Sequence, residues 1–183
     1  MKVLETERLI LRPFKLEDLD DFYDYAKEEG VGEFAGWPTH KSKEESLNIL
    51  KMFIEGTNGD QEFALELKET NKLVGSLGVH NRSMDPDYPG NKHLEIGYVL
   101  RKDQWGKGLM TEAVLCAIDY CFDDLEVDVL WCGHFTHNDR SRRVVEKCGF
   151  KYHKDAIYDA KLLNKSFPEK CYLITREEYY KNK

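Results

Sequence analysis

Long apolar runs are missing from this chain, and so are paired cysteines and any excess of positive charge. No stretch reaches the roughly 20 apolar residues that span a bilayer. No leader-like pattern opens the sequence, so a cytoplasmic protein without a membrane partner is expected. Cysteine occurs five times, an odd number, with no Cys-x-x-Cys spacing, which argues against a disulfide framework. His134 and His137 fall at a strand end with no matching cysteine or carboxylate, so no metal is expected. The net charge of −7 excludes the broad basic face that nucleic acid demands, and no nucleic-acid partner is expected. One local patch, Arg140, Arg142 and Arg143, runs against that trend. It is either a cradle for phosphates or a solvated, salt-bridged helix face. Repeats, low-complexity tracts and long linkers are also absent, which predicts one domain over residues 1–183.

What is present is a chain of 183 residues, 41% hydrophobic and 33% charged. That is the balance of a globular domain with its own core. Alternation predicts a strand over 4–12, ended by Pro13. Apolar residues at Leu16, Leu19, Phe22, Tyr23 and Ala26 follow a helical period over 16–28, and Gly30 and Gly32 close it. A loop follows over 33–41. Ser42 with Glu45 reads as a capping pair for a helix running to about Glu55. A turn at Asn58-Gly59-Asp60 leads to strands over 62–67 and 73–80. A polar turn over 84–91 precedes a strand over 93–100. A helical pattern covers Glu112 to Phe122, and Val127 to Phe135 is rich in strand formers. Asn138 or Asp139 caps a helix to Cys148, with Gly149 at its C′ position. Strands over 150–158 and 167–175 finish the chain. The order βααβββαβαββ predicts a mixed α/β sheet.

The most informative stretch is Gln104-Trp-Gly-Lys-Gly-Leu-Met-Thr111. It lies between a strand and a helix, where unpaired helix-terminal amides converge on one spot and favour an anion. Gly106 and Gly108 carry no side chain to block a phosphate. The Walker pattern fails, because Gly108 stands where a metal-binding hydroxyl is required and Arg101 where the first glycine is. The dinucleotide pattern Gly-x-Gly-x-x-Gly fails at Thr111. Alone, Gly-Lys-Gly is more often an ordinary turn.

Three blocks in order resolve this. Glu95-Ile-Gly-Tyr-Val-Leu100 with Trp105-Gly-Lys-Gly-Leu-Met-Thr-Glu-Ala113 resembles the acyl-CoA-binding core of the GNAT superfamily of N-acetyltransferases. There the pattern is Gln/Arg-x-x-Gly-x-Gly/Ala. Trp105 and Met110 depart from it at the first and sixth positions, and Gly108 fits the fourth. Asn138-Asp-Arg-Ser-Arg-Arg-Val-Val-Glu-Lys-Cys-Gly-Phe150 resembles the family's Asn-x-x-Ser segment. Glu5-Thr-Glu-Arg-Leu-Ile-Leu-Arg-Pro-Phe14 is similar to its first strand. Trp105 is usual in the branch of ribosomal-protein N-terminal acetyltransferases, the Rim type.

The resemblance implies a mostly antiparallel central sheet flanked by about four helices, with acetyl-CoA as co-substrate. It implies coenzyme contacts at Trp105, Gly106, Lys107, Gly108, Leu109, Met110 and Thr111, along the backbone of Tyr98, Val99 and Leu100, and at Asn138. Arg143 comes from the basic patch. Glu95 is implied as the base that deprotonates the acceptor amine. A bulge near Gly97, Tyr98 or Val99 would free a backbone donor for the thioester oxygen. Many family members carry a tyrosine as acid seven residues after the Asn. Here that residue is Val145, which leaves the Ser141 hydroxyl as the candidate. The acceptor is a protein N-terminus or a small amine, entering from the side of the first two helices; a non-catalytic acyl-CoA sensor is the rival from another class. A homodimer is implied by likeness only. Phe34, Trp37 and Tyr88 either line the acceptor cleft or pack over the sheet. Tyr179-Tyr180 either joins a dimer contact or frames the acceptor.

Overall fold

The computed structural model describes residues 1–56 and 59–183. Asn58 of the expected 58–60 turn lies outside them. Among the described residues, eight strands form one sheet in the order β1-β2-β3-β4-β5-β6-β8-β7. They are β1 (Leu4–Glu5), β2 (Leu9–Pro13), β3 (Gln61–Leu67), β4 (Lys72–His80), β5 (His93–Leu100), β6 (Val129–Phe135), β7 (Lys151–Ala160) and β8 (Lys165–Thr175). Every neighbouring pair is antiparallel except β5–β6. The parallel pair needs a long crossover, and α3 (Leu109–Asp119) supplies it. The other helices are α1 (Leu19–Ala26), α2 (Lys43–Glu55), α4 (Asp139–Lys147) and α5 (Arg176–Asn182). No helix among the described residues is long and apolar enough to cross a membrane.

Side chains alternate across a sheet, and each face of this one has its own core. On one face α3 buries Leu109, Met110, Ala113, Val114 and Ala117 against Phe63, Leu65, Leu77 and Ile96. On the other, α1 and α2 bury Phe22, Tyr25, Ala26 and Leu50 against Ala64 and Leu73.

Several elements differ from the sequence reading. The first strand is two, because Thr6 turns the chain: its hydroxyl accepts from Leu9 N at 2.9 Å. Residues Leu16–Asp18 form a 3-10 turn, and α1 begins only at Leu19. Asp18 is drawn aside there by Lys15 N and by the Arg12 guanidinium, at 2.9 and 2.7 Å. The helix expected from Glu112 starts a turn earlier, at Leu109, and gives way to a wider π turn over Tyr120–Asp124. A fifth helix, α5, was not foreseen. Thr175 and Glu178 form a reciprocal capping box at its start, a spacing that was legible.

Candidate active site

Strand β5 stays paired with β4 from Gly75–Leu100 to His80–Glu95. Its pairing with β6 runs only from His93–Val129 to Ile96–Cys132. Beyond that point the two strands part, while β6 continues along β8 to Phe135–Glu169. The β4–β5 register is unbroken, so no bulge forms at Gly97 to Val99. The divergence of the strands opens the edge instead. Alternate N–H and C=O groups from Gly97 to Leu100 face the gap, because an antiparallel partner uses only every other pair. A cleft of about 440 Å³ occupies the gap.

On the α3 face the cleft floor is the glycine turn. Gly106 and Gly108 sit at φ +75° and +80°, a conformation that side chains resist. Gly108 is the N-cap of α3, so the unpaired amides of the first helical turn border the cleft along with Leu109, Met110 and Thr111. Arg8 braces this turn: its Nη1 donates to Lys107 O at 2.9 Å and its Nε to Glu112 Oε2 at 2.7 Å. The Trp105 indole donates to Leu100 O at 2.8 Å and carries the Arg140 guanidinium 3.9 Å above its ring. Asn138 caps α4 through its side-chain oxygen, which accepts from Ser141 N at 3.1 Å. Ser141 Oγ lies 2.8 Å from the Tyr98 hydroxyl. Burial pushes the Tyr98 phenol well above its ordinary pKa, so it stays protonated.

On the α1–α2 face, Glu95 is buried, 8% exposed, and borders the cleft. Arg82 Nη1 lies 3.1 Å from its Oε2, but no N–H is aligned on that oxygen, which makes no hydrogen bond among the described residues. Burial raises the Glu95 pKa; the positive charges of Arg82 and His80 oppose the rise. Glu169 arrives from β8, 6% exposed, with its pKa raised to about 7 by burial first and then by the Glu95 charge. His80, Arg82, Tyr158 and Phe34 complete this side.

The expected residues Glu95, Tyr98, Val99, Leu100, Trp105, Gly106, Gly108, Leu109, Met110, Thr111, Asn138, Ser141 and Arg143 all border one cleft. The side chain of Lys107 does not; its Nζ turns to Gln104 Oε1 at 3.1 Å. The basic patch divides. Arg142 pairs with Asp139 and Glu146 along its helix, while Arg140 and Arg143 border the cleft. Val145 is fully buried in the core rather than at the cleft. Phe34 borders the cleft. Trp37 packs on His40 and Tyr88 on Trp131. Tyr179 stacks on Phe122 at 4.6 Å, which ties the C-terminus to the π turn that follows α3. His134 is occupied by Phe135 O and the Tyr172 hydroxyl. The sequence reading missed His80, Arg82, Tyr158 and Glu169. They come from three separate segments, the end of β4 (His80 and Arg82), β7 and β8, and no local spacing links those segments.

The chain is similar to known proteins in sequence and in fold. The family described as acetyltransferase (GNAT) domain matches residues 8–151. The uncharacterized N-acetyltransferase p20 of Bacillus licheniformis is 31% identical over 132 residues, 70% of this chain and 70% of its own. A GNAT-family acetyltransferase of Bacillus anthracis superimposes with a TM-score of 0.82 at 23% identity, covering 97% of this chain and all of its own (100%). The microcin C7 self-immunity acetyltransferase MccE, solved with acetyl-CoA and AMP, gives 0.75 at 18% identity, covering 92% and 93%.

Proposed function

The chain is an N-acetyltransferase of the GNAT family, and from that premise we propose that it acetylates a primary amine, by preference a protein N-terminal α-amine, by direct attack on acetyl-CoA. One observation carries the reading. A buried carboxylate, Glu95, and a hydroxyl pair, Tyr98–Ser141, reach the same opening between β5 and β6 from opposite faces of the sheet. Base and acid thus flank one space without meeting.

The residues fit the coenzyme. A Cβ built on Gly106 would touch nothing within 4 Å, so the turn is open to a ligand. The α3 amides, Arg140, Arg143 and Lys147 border the same space and suit phosphates. The free edge of β5 from Gly97 to Leu100 suits the amides of a pantetheine arm, as an added strand would. Bound there, acetyl-CoA supplies an acetyl thioester with a thiolate as leaving group.

The remaining chemistry belongs to the chain. At pH 7 about a tenth of an α-amine of pKa near 8 is neutral, against a few parts in ten thousand of a lysine amine near 10.4. A single buried carboxylate is enough for the α-amine. Glu95 takes the proton, and its raised pKa makes it a better acceptor near neutrality. N–H groups of β5 facing the gap are the donors for a developing oxyanion. The Tyr98–Ser141 pair keeps a hydroxyl proton at the opening for the departing sulfur. The Rim-type reading rests on Trp105 and on Glu95 standing before Ile-Gly-Tyr.

Free-thiol release from acetyl-CoA tests this against peptides with free N-termini, polyamines and aminoglycosides. Turnover with peptides supports the preferred acceptor. Turnover with one small amine keeps the mechanism and moves the acceptor. Silence across the panel despite tight acetyl-CoA binding favours the sensor.

A further inference from the structure

Beside Glu95 lies a second pair of titratable groups. His80 ends β4 and is the cross-strand partner of Glu95 on β5. Directly opposed residues have Cβ atoms about 5 Å apart on one face of the sheet. His80 Nε2 lies 2.7 Å from Glu62 Oε1, which comes from β3.

Two glycines make room for this pair. Gly78 is opposed to Glu62 on one side and to Gly97 on the other. A Cβ on Gly78 would fall 2.2 Å from His80 Nε2 and 2.8 Å from Glu62 Oε1. The imidazole and the carboxylate therefore occupy the volume that a side chain would fill. The Cε1–Nδ1 edge of the ring lies toward Gly97, which lines the cleft with His80. A Cβ on Gly97 would meet His80 Cε1 at 3.4 Å and Nδ1 at 3.8 Å. Gly97 is the residue at which β5 leaves β6.

We infer that the His80–Glu62 dyad is the station that receives the acceptor's proton from Glu95 and passes it to solvent. This rests on Glu95 acting as the base. A neutral imidazole that donates its Nε2 proton to Glu62 offers the Nδ1 lone pair towards the cleft. The ammonium loses one proton to Glu95; that proton moves to His80 Nδ1 and then to water. The imidazolium is held meanwhile by the Glu62 carboxylate, and no other reactant is needed. With a side chain 33% exposed, His80 reaches both the cleft and solvent.

The charges facing the ring are Glu62 and Asp60 from the β3 side and Glu95 from β5; Arg82, beyond the end of β4, lies against Glu95. Burial alone would lower the His80 pKa, but the Glu62 bond and the Glu62, Glu95 and Asp60 charges raise it overall. His80 thus acts as a positioning and relay group, and the amine itself meets Glu95.

The test combines H80Q, E62Q and H80A with an acceptor that the wild type uses. H80Q should lower kcat about 30-fold and remove from the pH–rate profile the imidazole ionisation, raised above its ordinary value, with acetyl-CoA affinity unchanged. Added imidazole should restore H80A several-fold, a response that a purely structural role would not give. By NMR the His80 pKa should fall in E62Q, whatever the activity. Turnover in H80Q with an unaltered pH profile overturns the relay and leaves the acetyl-transfer reading standing. A His80 titration unmoved by E62Q overturns the dyad. Silence of the wild type with every amine overturns the acetyl-transfer reading, and the relay with it.

Discussion

Glu169 illustrates how one residue couples folding to the charge of the cleft. Its carboxyl sits over Gly133, where a Cβ would lie 2.6 Å from Oε1. Burial, then the Glu95 charge, raises its pKa to about 7, against the attraction of Arg82. Folding therefore favours the protonated form. The associated stability is fully present below the ordinary carboxylate pKa and is lost as pH rises to about 7. The shift corresponds to about 3 kcal/mol at most. E169Q should melt higher than the wild type at pH 8, with the difference vanishing near pH 4, below the ordinary carboxylate pKa; thermal denaturation at the two pH values reads it. Glu95 carries the catalytic prediction at this scale. E95Q should lower kcat by about 10²–10⁴-fold and leave acetyl-CoA affinity intact by calorimetry. In the wild type the rate should rise with pH through a value above the usual carboxylate range.

At the scale of elements, the turn into α3 is the most exposed to substitution. Gly108 holds φ +80°, and an added Cβ would meet only Arg8 Nη2, at an ordinary 3.6 Å. The penalty of G108A is thus conformational, about 1 kcal/mol, read in a denaturant melt. Acetyl-CoA affinity should weaken several-fold as the first-turn amides shift. The same turn shows the limits of local reading. Its glycines were legible as a loop, but Leu109 to Thr111 belong to the helix, because the apolar side chains of Leu109 and Met110 find the core beneath them. Conversely, α5 announces itself in the spacing of Thr175 and Glu178, and its docking on α3 through Tyr179 depends on contacts some 60 residues away.

Across the whole molecule, charge is unevenly placed. Glu95, Glu169 and Glu62 gather on the α1–α2 face of the opening, while Arg140, Arg143 and Lys147 gather towards α4. With a net charge of −7, a cationic acceptor is drawn in by a field that salt screens. Its kcat/KM should fall at least about threefold from low to high ionic strength; a neutral-amine acceptor with an unchanged kcat/KM is the control. Steady-state rates in a salt series read both.

Glu95, Asn138 and Ser141 entered as candidates through the resemblance to the GNAT family, whereas the chain's own pattern was enough for most of the strand and helix order and for the phosphate-suited turn at 104–111. These depend on alternation, helical period and capping, which act over a few residues. Only the tertiary structure decided that β8 inserts between β6 and β7 and that β6 leaves β5 after Ile96. It alone brought Glu62, His80, Arg82 and Glu169 to Glu95. Those placements depend on the pairing of strands far apart in the chain. Such register is set by the packing of whole faces, which no short stretch of sequence records.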